Sequence, residues 1–312
     1  MFLPPNSLEH VSGVDFTRHR GVLDHALLAG THIGITGLGG AAGLVQSLTG
    51  AGIRSWTLND YDRVSLTNPA TQRHDYADRG KLKCDALAER LVRIDPLVNV
   101  RTISAPYQDL TTEQHNDLWD ADLVLAMTDQ FPVQAQINAD AVRYRRPAIF
   151  AIAYLDCAAV EVTASFPETI GNAGGCHRCH TKTRYDSYAS GFENPSDISS
   201  HVVTSDYLNA VIGHVVLGYL HWRVGSNLAI AEVGREFAAR PCLISRILPS
   251  FGDGPGEAFA GAAPLPFNSS LWPLDTPNTW QCPDCGTRGP IEIPEFPCPK
   301  SNPGPGTTTE RR

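Results

Sequence analysis

Apolar positions along the first half of the chain alternate between short continuous runs and stretches of helical spacing. "HIGIT" (His32–Thr36) is a short apolar run that enters a glycine-rich turn, and a small-residue helix leaves that turn and extends to about Thr49. "SWTLND" sets Trp56 and Leu58 between polar neighbours and ends on Asp60, the pattern of a second strand. In "KLKCDALAERLVRID", Leu82, Ala86, Leu87, Leu91 and Ile94 fall on one helical face, and Pro96 stops the helix. "NVRTIS" reads as a third strand and "ADLVLAM" as a fourth, the latter apolar throughout and therefore buried on both faces. A helix from about Pro132 to Arg145 and a strand "AIFAIAY" follow. Strands alternating with helices predict an α/β fold: a Rossmann-like, mostly parallel sheet with helices on both faces.

The second half is less regular. The polar stretch 181–201 reads as a mobile loop over a site. "YLNAVIGHVVLGYLHWRV" is a strongly apolar helix carrying Leu208, Val211, Ile212, Val215, Tyr219 and Leu220, and residues 15–28 read as a short amphipathic helix. The expected organisation is a helical arm over 1–30, a nucleotide-binding domain over 31–165, a substrate and zinc region over 166–290, and a disordered tail over 291–312. A net charge of −8 with no block of Lys and Arg argues against a nucleic-acid partner. No apolar run is long enough to cross a bilayer, and the N-terminus has neither the basic start nor the apolar core of a secretory signal. The expected setting is therefore cytoplasmic, with no membrane partner. There the 8 cysteines serve as thiols or metal ligands rather than disulfides.

Gly37, Gly39 and Gly40 let the backbone turn tightly against phosphate oxygens at a helix N-terminus. Asp60 stands where a carboxylate accepts bonds from ribose hydroxyls. Both features suit NAD as well as ATP. Lys83 and Asp129 separate the two. A nucleotide attacked at phosphorus needs developing charge neutralised by a cation, and a carboxylate beyond the fourth strand is placed to hold Mg2+. Each residue also has a plain alternative, a solvated lysine and a loop-capping aspartate.

Together the motifs resemble a family. From about residue 16 to 225, and again at the second Cys-x-x-Cys, the chain resembles the ThiF/MoeB superfamily of ubiquitin-activating-like adenylating enzymes. The resemblance rests on "FTRHR", "GLGGAAG", "LNDYDRVSLTN", "DRGKLKCDAL", "IDPLVNV" and "MTDQFPVQAQIN", in that order. It implies attack of a carboxylate on the α-phosphate of ATP, giving an acyl-adenylate and pyrophosphate. The carboxylate would belong to a peptide or small-protein C-terminus, or to a peptide side chain. By the resemblance Asp60, Asp62, Asn68 and Gln72 bind the nucleotide, Asp129 holds Mg2+, Lys83 stabilises the transferred phosphoryl group, and Arg18 reaches ATP from the other subunit of a homodimer. Two departures stand out. "NPATQR" puts Thr71 at the family's arginine position, and Arg73, two residues on, either takes over its phosphate contact or is a surface residue. No cysteine lies between Cys179 and Cys242, so transfer is expected to proceed without the usual enzyme thioester. Cys242 is either a displaced nucleophile or a small buried residue. The competing functions are an NAD(P)- or flavin-dependent oxidoreductase on the same glycine turn, and an inactive nucleotide-binding scaffold.

Cys176, Cys179, Cys282 and Cys285 form two Cys-x-x-Cys pairs that offer four thiolates on two tight turns, the donor set of a closed, structural Zn2+ site. Such a site would staple the C-terminal segment to the main domain. "CHRCH" also fits a c-type haem attachment, which would require export and leave the second pair without a role. His177 and His180 are read as turn residues.

Overall fold

A computed structural model describes residues 13–171, 174–192, 200–249, 251, 269–271 and 280–287. The expected tail 291–312, and Cys298 with it, lies outside the described residues, as does the start of the expected arm.

Eight strands form one sheet: β1 (His32–Thr36), β2 (Ser55–Asn59), β3 (Asn99–Ile103), β4 (Leu123–Ala126), β5 (Ala148–Ala153), β6 (Ala159–Ser165), β7 (Cys242–Arg246) and β8 (Ser269–Leu271). Their order is β3-β2-β1-β4-β5-β6-β7-β8. The first five run parallel, with Ile33 opposite Trp56 on one side and Leu123 on the other, and β6 to β8 add in antiparallel fashion. Ten α-helices accompany the sheet among the described residues: α1 (His25–Gly30), α2 (Ala42–Ala51), α3 (Asn68–Thr71), α4 (Lys83–Ile94), α5 (Thr112–Trp119), α6 (Phe131–Tyr144), the single turn α7 (His177–His180), α8 (Lys182–Ala189), α9 (Val202–Arg223) and α10 (Ile230–Ala239).

The unbroken apolar run of β4 follows from its central position. Leu123 and Leu125 join the core under α2, α4 and α9, while Val124 and Ala126 face the second core under α5 and α6. Successive strand residues point to opposite faces, so a strand covered on both must be apolar at every position. The helix α9 crosses α10 closely, because a Cβ at Gly234 would stand 2.1 Å from the Gly218 carbonyl oxygen. Among the described residues, no helix is long and apolar enough to cross a membrane.

Two expectations need correction. Residues 15–28 do not form one helix: Thr17–His19 make a 3-10 turn, and α1 begins only at His25, where the Asp24 carboxylate accepts from the Ala26 and Leu27 amides. The stretch expected to be a loop contains α8, whose first turn follows directly on α7. Its polar face hid it, because Arg184 is buried there only by virtue of a partner on β6.

Candidate active site

A cleft of about 970 Å3 opens at the carboxyl ends of β1, β2, β4 and β5. This is where ligands bind in open parallel sheets. Gly37, Gly39, Gly40, Asp60, Asp62, Asn68, Gln72, Lys83 and Asp129 all line it.

The glycine turn is shaped by close approach. Gly37 has φ +91°, and a Cβ there would lie 2.6 Å from the Met127 carbonyl oxygen. At Gly39 a Cβ would meet the Gln72 amide at 2.8 Å. The backbone contact and positive φ exclude a side chain at Gly37, whereas at Gly39 the Gln72 side chain would have to move aside. The Leu38 amide donates to Asp60 Oδ2 at 2.7 Å, and the Asp62 amide donates to Asp60 Oδ1 at 2.8 Å. Lys83 Nζ then donates to Asp62 Oδ2 at 2.8 Å, while the Lys83 amide binds the Asp62 carbonyl at 2.9 Å. One continuous chain of bonds thus links glycine turn, Asp60, Asp62 and Lys83. Burial pushes the Asp60 carboxyl above its ordinary value, while Lys83 and the two amides pull against that rise. Buried His74 braces the turn from behind by donating from Nε2 to the Leu38 carbonyl at 2.9 Å, and burial lowers its pKa.

For the amides of Gly39, Gly40 and Ala41, no acceptor is found among the described residues. Three adjacent donors at the N-terminus of α2 suit an anion. Asp129 is exposed on the opposite rim, beyond β4. Its oxygen donors are of the kind a hard cation such as Mg2+ takes.

Two anticipated residues lie elsewhere. Arg73 turns away from the cleft, paired with Asp206 of α9, and lines a separate groove between α2 and α9. Arg18 is exposed in its 3-10 turn and does not line the cleft of its own chain. Cys242 is buried in β7, and burial holds its thiol far above the ordinary range.

The far end of the cleft includes Arg184, Phe192 and Ser200 from the stretch read in the sequence as lying over a site, although its partners just after β5 and on β6 were not foreseen. Arg184 bonds Glu161 of β6 at 2.9 and 3.1 Å, and Tyr154 donates to the same carboxylate at 2.6 Å. Asn209 and Ser205 of α9 form a side wall. A polar Asn inside the apolar run of α9 marks that wall in the sequence.

The four cysteines cluster as the spacing implied. Sγ separations are 3.9 Å for Cys176–Cys179, 3.7 Å for Cys176–Cys282 and 3.5 Å for Cys179–Cys285. All four sulfurs lie within 4.8 Å of one another. Tetrahedral Zn–S bonds of about 2.3 Å require sulfurs roughly 3.8 Å apart, so the cluster fits the metal. Around it Asn138 donates to Asp284 at 2.7 Å and Arg178 pairs with Asp284 at 2.7 Å. His177 is not a ligand: it stacks on Phe150 at 4.2 Å and shares a 2.7 Å bond with Thr163.

The fold and cleft define an α/β protein with a glycine turn at the carboxyl edge of a mostly parallel sheet and a cluster of four thiols. The sequence pattern of the ThiF family matches residues 18–220, and the chain belongs to that family. It is 33% identical over 138 residues to the molybdopterin-synthase adenylyltransferase of Escherichia coli K12, covering 44% of this chain and 53% of the relative. To the sulfur carrier protein adenylyltransferase of Thermus thermophilus it is 31% identical over 149 residues, covering 47% and 53%. The chain thus spans about half the length of the curated relatives it matches. In fold it is similar to E. coli MccB, with a TM-score of 0.59 at 17% identity, covering 86% of this chain and 68% of that one. PaaA is similar at a TM-score of 0.55 and 15% identity, covering 71% of each chain. MccB has also been solved with ATP, where the TM-score is 0.51 at 20% identity over 63% and 57% of the chains.

Proposed function

We propose that this chain activates a carboxylate with ATP. A substrate carboxylate oxygen attacks the α-phosphorus, a new P–O bond forms, the bond to the β-phosphate bridging oxygen breaks, and pyrophosphate leaves as the acyl-adenylate is made. The observation that carries this reading is the bonded chain from the glycine turn through Asp60 and Asp62 to Lys83, facing Asp129 across one cleft. Asp60 and Asn68 would orient the ribose, and the free amides would receive phosphate oxygens. Lys83, buried and held in place by Asp62, would neutralise charge as it develops. Asp129 would hold Mg2+, which when bound withdraws charge from the phosphates. Gln72, whose Oε1 is buried without a partner among the described residues, stands ready for a nucleotide donor.

The substrate we assign is a peptide or small-protein carboxylate. Its support is the length of the cleft, which runs on past the nucleotide end to Ala153, Tyr154, Leu155 and Phe192. Transfer without an enzyme thioester is supported by the lining: among the described residues no cysteine borders the cleft, and Cys242 is buried as a protonated thiol. A homodimer would bring Arg18 of a second protomer to the nucleotide. Its outward exposure is consistent with that use. Cysteines kept as thiols fit a reducing, cytoplasmic setting.

Calorimetric titration with ATP and Mg2+, beside NADH and NADPH, tests the reading on wild type and Asp129→Ala. The expected result is ATP binding that Mg2+ strengthens and that Asp129→Ala, still folded, no longer shows strengthened. Binding of a nicotinamide in place of ATP would overturn the adenylation reading in favour of a redox enzyme.

A further inference from the structure

The three glycines of the turn are held in different ways. Gly37 and Gly39 are confined by neighbours that a Cβ would strike at 2.6 and 2.8 Å. Gly40 is not. A Cβ there would meet nothing closer than Ser205 Oγ at 3.5 Å, so no neighbour presses on its Cα, and as a glycine it has the widest choice of backbone angles. What holds the peptide unit between Gly40 and Ala41 is a hydrogen bond from another part of the chain: Asn209 Nδ2 of α9 donates to the Gly40 carbonyl at 2.8 Å. Asn209 is 6% exposed, and Gly43 makes room for its carboxamide, since a Cβ at Gly43 would lie 2.9 Å from Nδ2.

The carbonyl of Gly40 and the amide of Ala41 belong to one planar unit and point in opposite directions. With the oxygen tied to α9, the Ala41 N–H is directed away from α9, and no acceptor for it is found among the described residues. Rotated the other way, the unit would set a carbonyl oxygen where an anion is to bind. We infer that Asn209 is a positioning residue of the nucleotide site, which keeps the 40–41 peptide unit turned so that its N–H is available to a phosphate. Next to it Ser205 donates to the Thr71 carbonyl at 2.9 Å, so one face of α9 steadies both loops that border the cleft. The inference rests on the proposed use of ATP.

Calorimetry of ATP, ADP and adenosine on wild type, Asn209→Ala and Asn209→Asp tests it, with thermal melts to show that each variant folds. Loss of one such hydrogen bond should weaken ATP and ADP by about tenfold in Asn209→Ala. The effect should be larger in Asn209→Asp, whose carboxylate cannot donate and repels phosphate. Adenosine, which carries no phosphate, should bind all three proteins alike. A site that merely loosened would lose adenosine along with ATP, and that outcome overturns the inference. So does ATP affinity within about twofold of wild type in both folded variants, which leaves the adenylation reading intact. Failure of wild type to bind ATP overturns both.

Discussion

At the carboxyl ends of β1, β2 and β4, backbone donors are left open. Three adjacent amides have no acceptor among the described residues, and Lys83 is held by a single partially exposed carboxylate. Beside α6 and α7 the opposite holds. Four thiols converge, Asn138 and Arg178 both engage Asp284, and Ser165 donates to Asn138 Oδ1 at 2.7 Å. On the proposed reading, a region that must admit a reacting ligand keeps donors unfilled and accepts the cost of exposure. A region that would only join two chain segments around a metal offers four thiols and no open position. The same contrast separates a catalytic metal site from a structural one.

Breaking the closed region should have the largest effect. Cys282→Ser, or prolonged chelation, is expected to remove one zinc per chain by elemental analysis and to cost roughly 4 kcal/mol or more in denaturant unfolding. A variant as stable as wild type, or a wild-type protein without metal, would show the cluster to be no staple.

In the open region a comparable change should spare the fold and strike the chemistry. Lys83→Ala is expected to lower carboxylate-dependent pyrophosphate release by roughly 10²- to 10³-fold. Its melting temperature should stay close to that of wild type, because the Asp62 carboxylate it abandons is half exposed.

A smaller effect concerns pH. Burial lowers the pKa of His74, and of His25 and His32, below the ordinary value of 6.5. The unfolded chain then binds more protons than the folded one below that pH, so stability falls as pH falls from 6.5 toward the folded values. Stability should therefore fall as pH drops from about 7.5 to 5.5, and the part of that fall due to His74 should be absent from His74→Gln. Asp60, whose pKa is raised by burial, acts in the opposite sense and only from its ordinary value of 3.8 upward to its folded one. Unchanged pH dependence in His74→Gln would remove the histidine from this account.

Arg73→Ala should do least. Its guanidinium pairs with Asp206 outside the cleft, so ATP affinity should remain within about twofold of wild type by calorimetry. A tenfold loss would place Arg73 at the phosphates after all, through a movement of its loop.

Much of the open region was legible in the chain. The strand at 32–36 has the bounds its apolar run predicts, and β2 to β5 and α2, α4, α6 and α9 fall where periodicity sets them. Gly37 and Asp60 follow directly on strands, Lys83 opens a helix and Asp129 lies in the short loop after β4, so local pattern carries them into one cleft. The antiparallel strands were not legible. Glu161 interrupts the apolar run of β6, and it is tolerated there because Tyr154 and Arg184, the latter from a helix that itself reads as loop, both donate to it. β7 joins that strand across a long intervening stretch of chain.

By itself, then, the sequence determined the parallel half of the sheet, the glycine turn with its acidic and basic companions, and the four thiols as one set that could hold a metal ion. These depend on periodicity and fixed short spacings, which are local. The tertiary structure alone decided that Arg73 faces away from the cleft, that Cys242 is sealed in a strand, and that Asn209 holds the turn. Each of those depends on which distant segment packs beside the residue, and on whether burial leaves its polar atoms a partner.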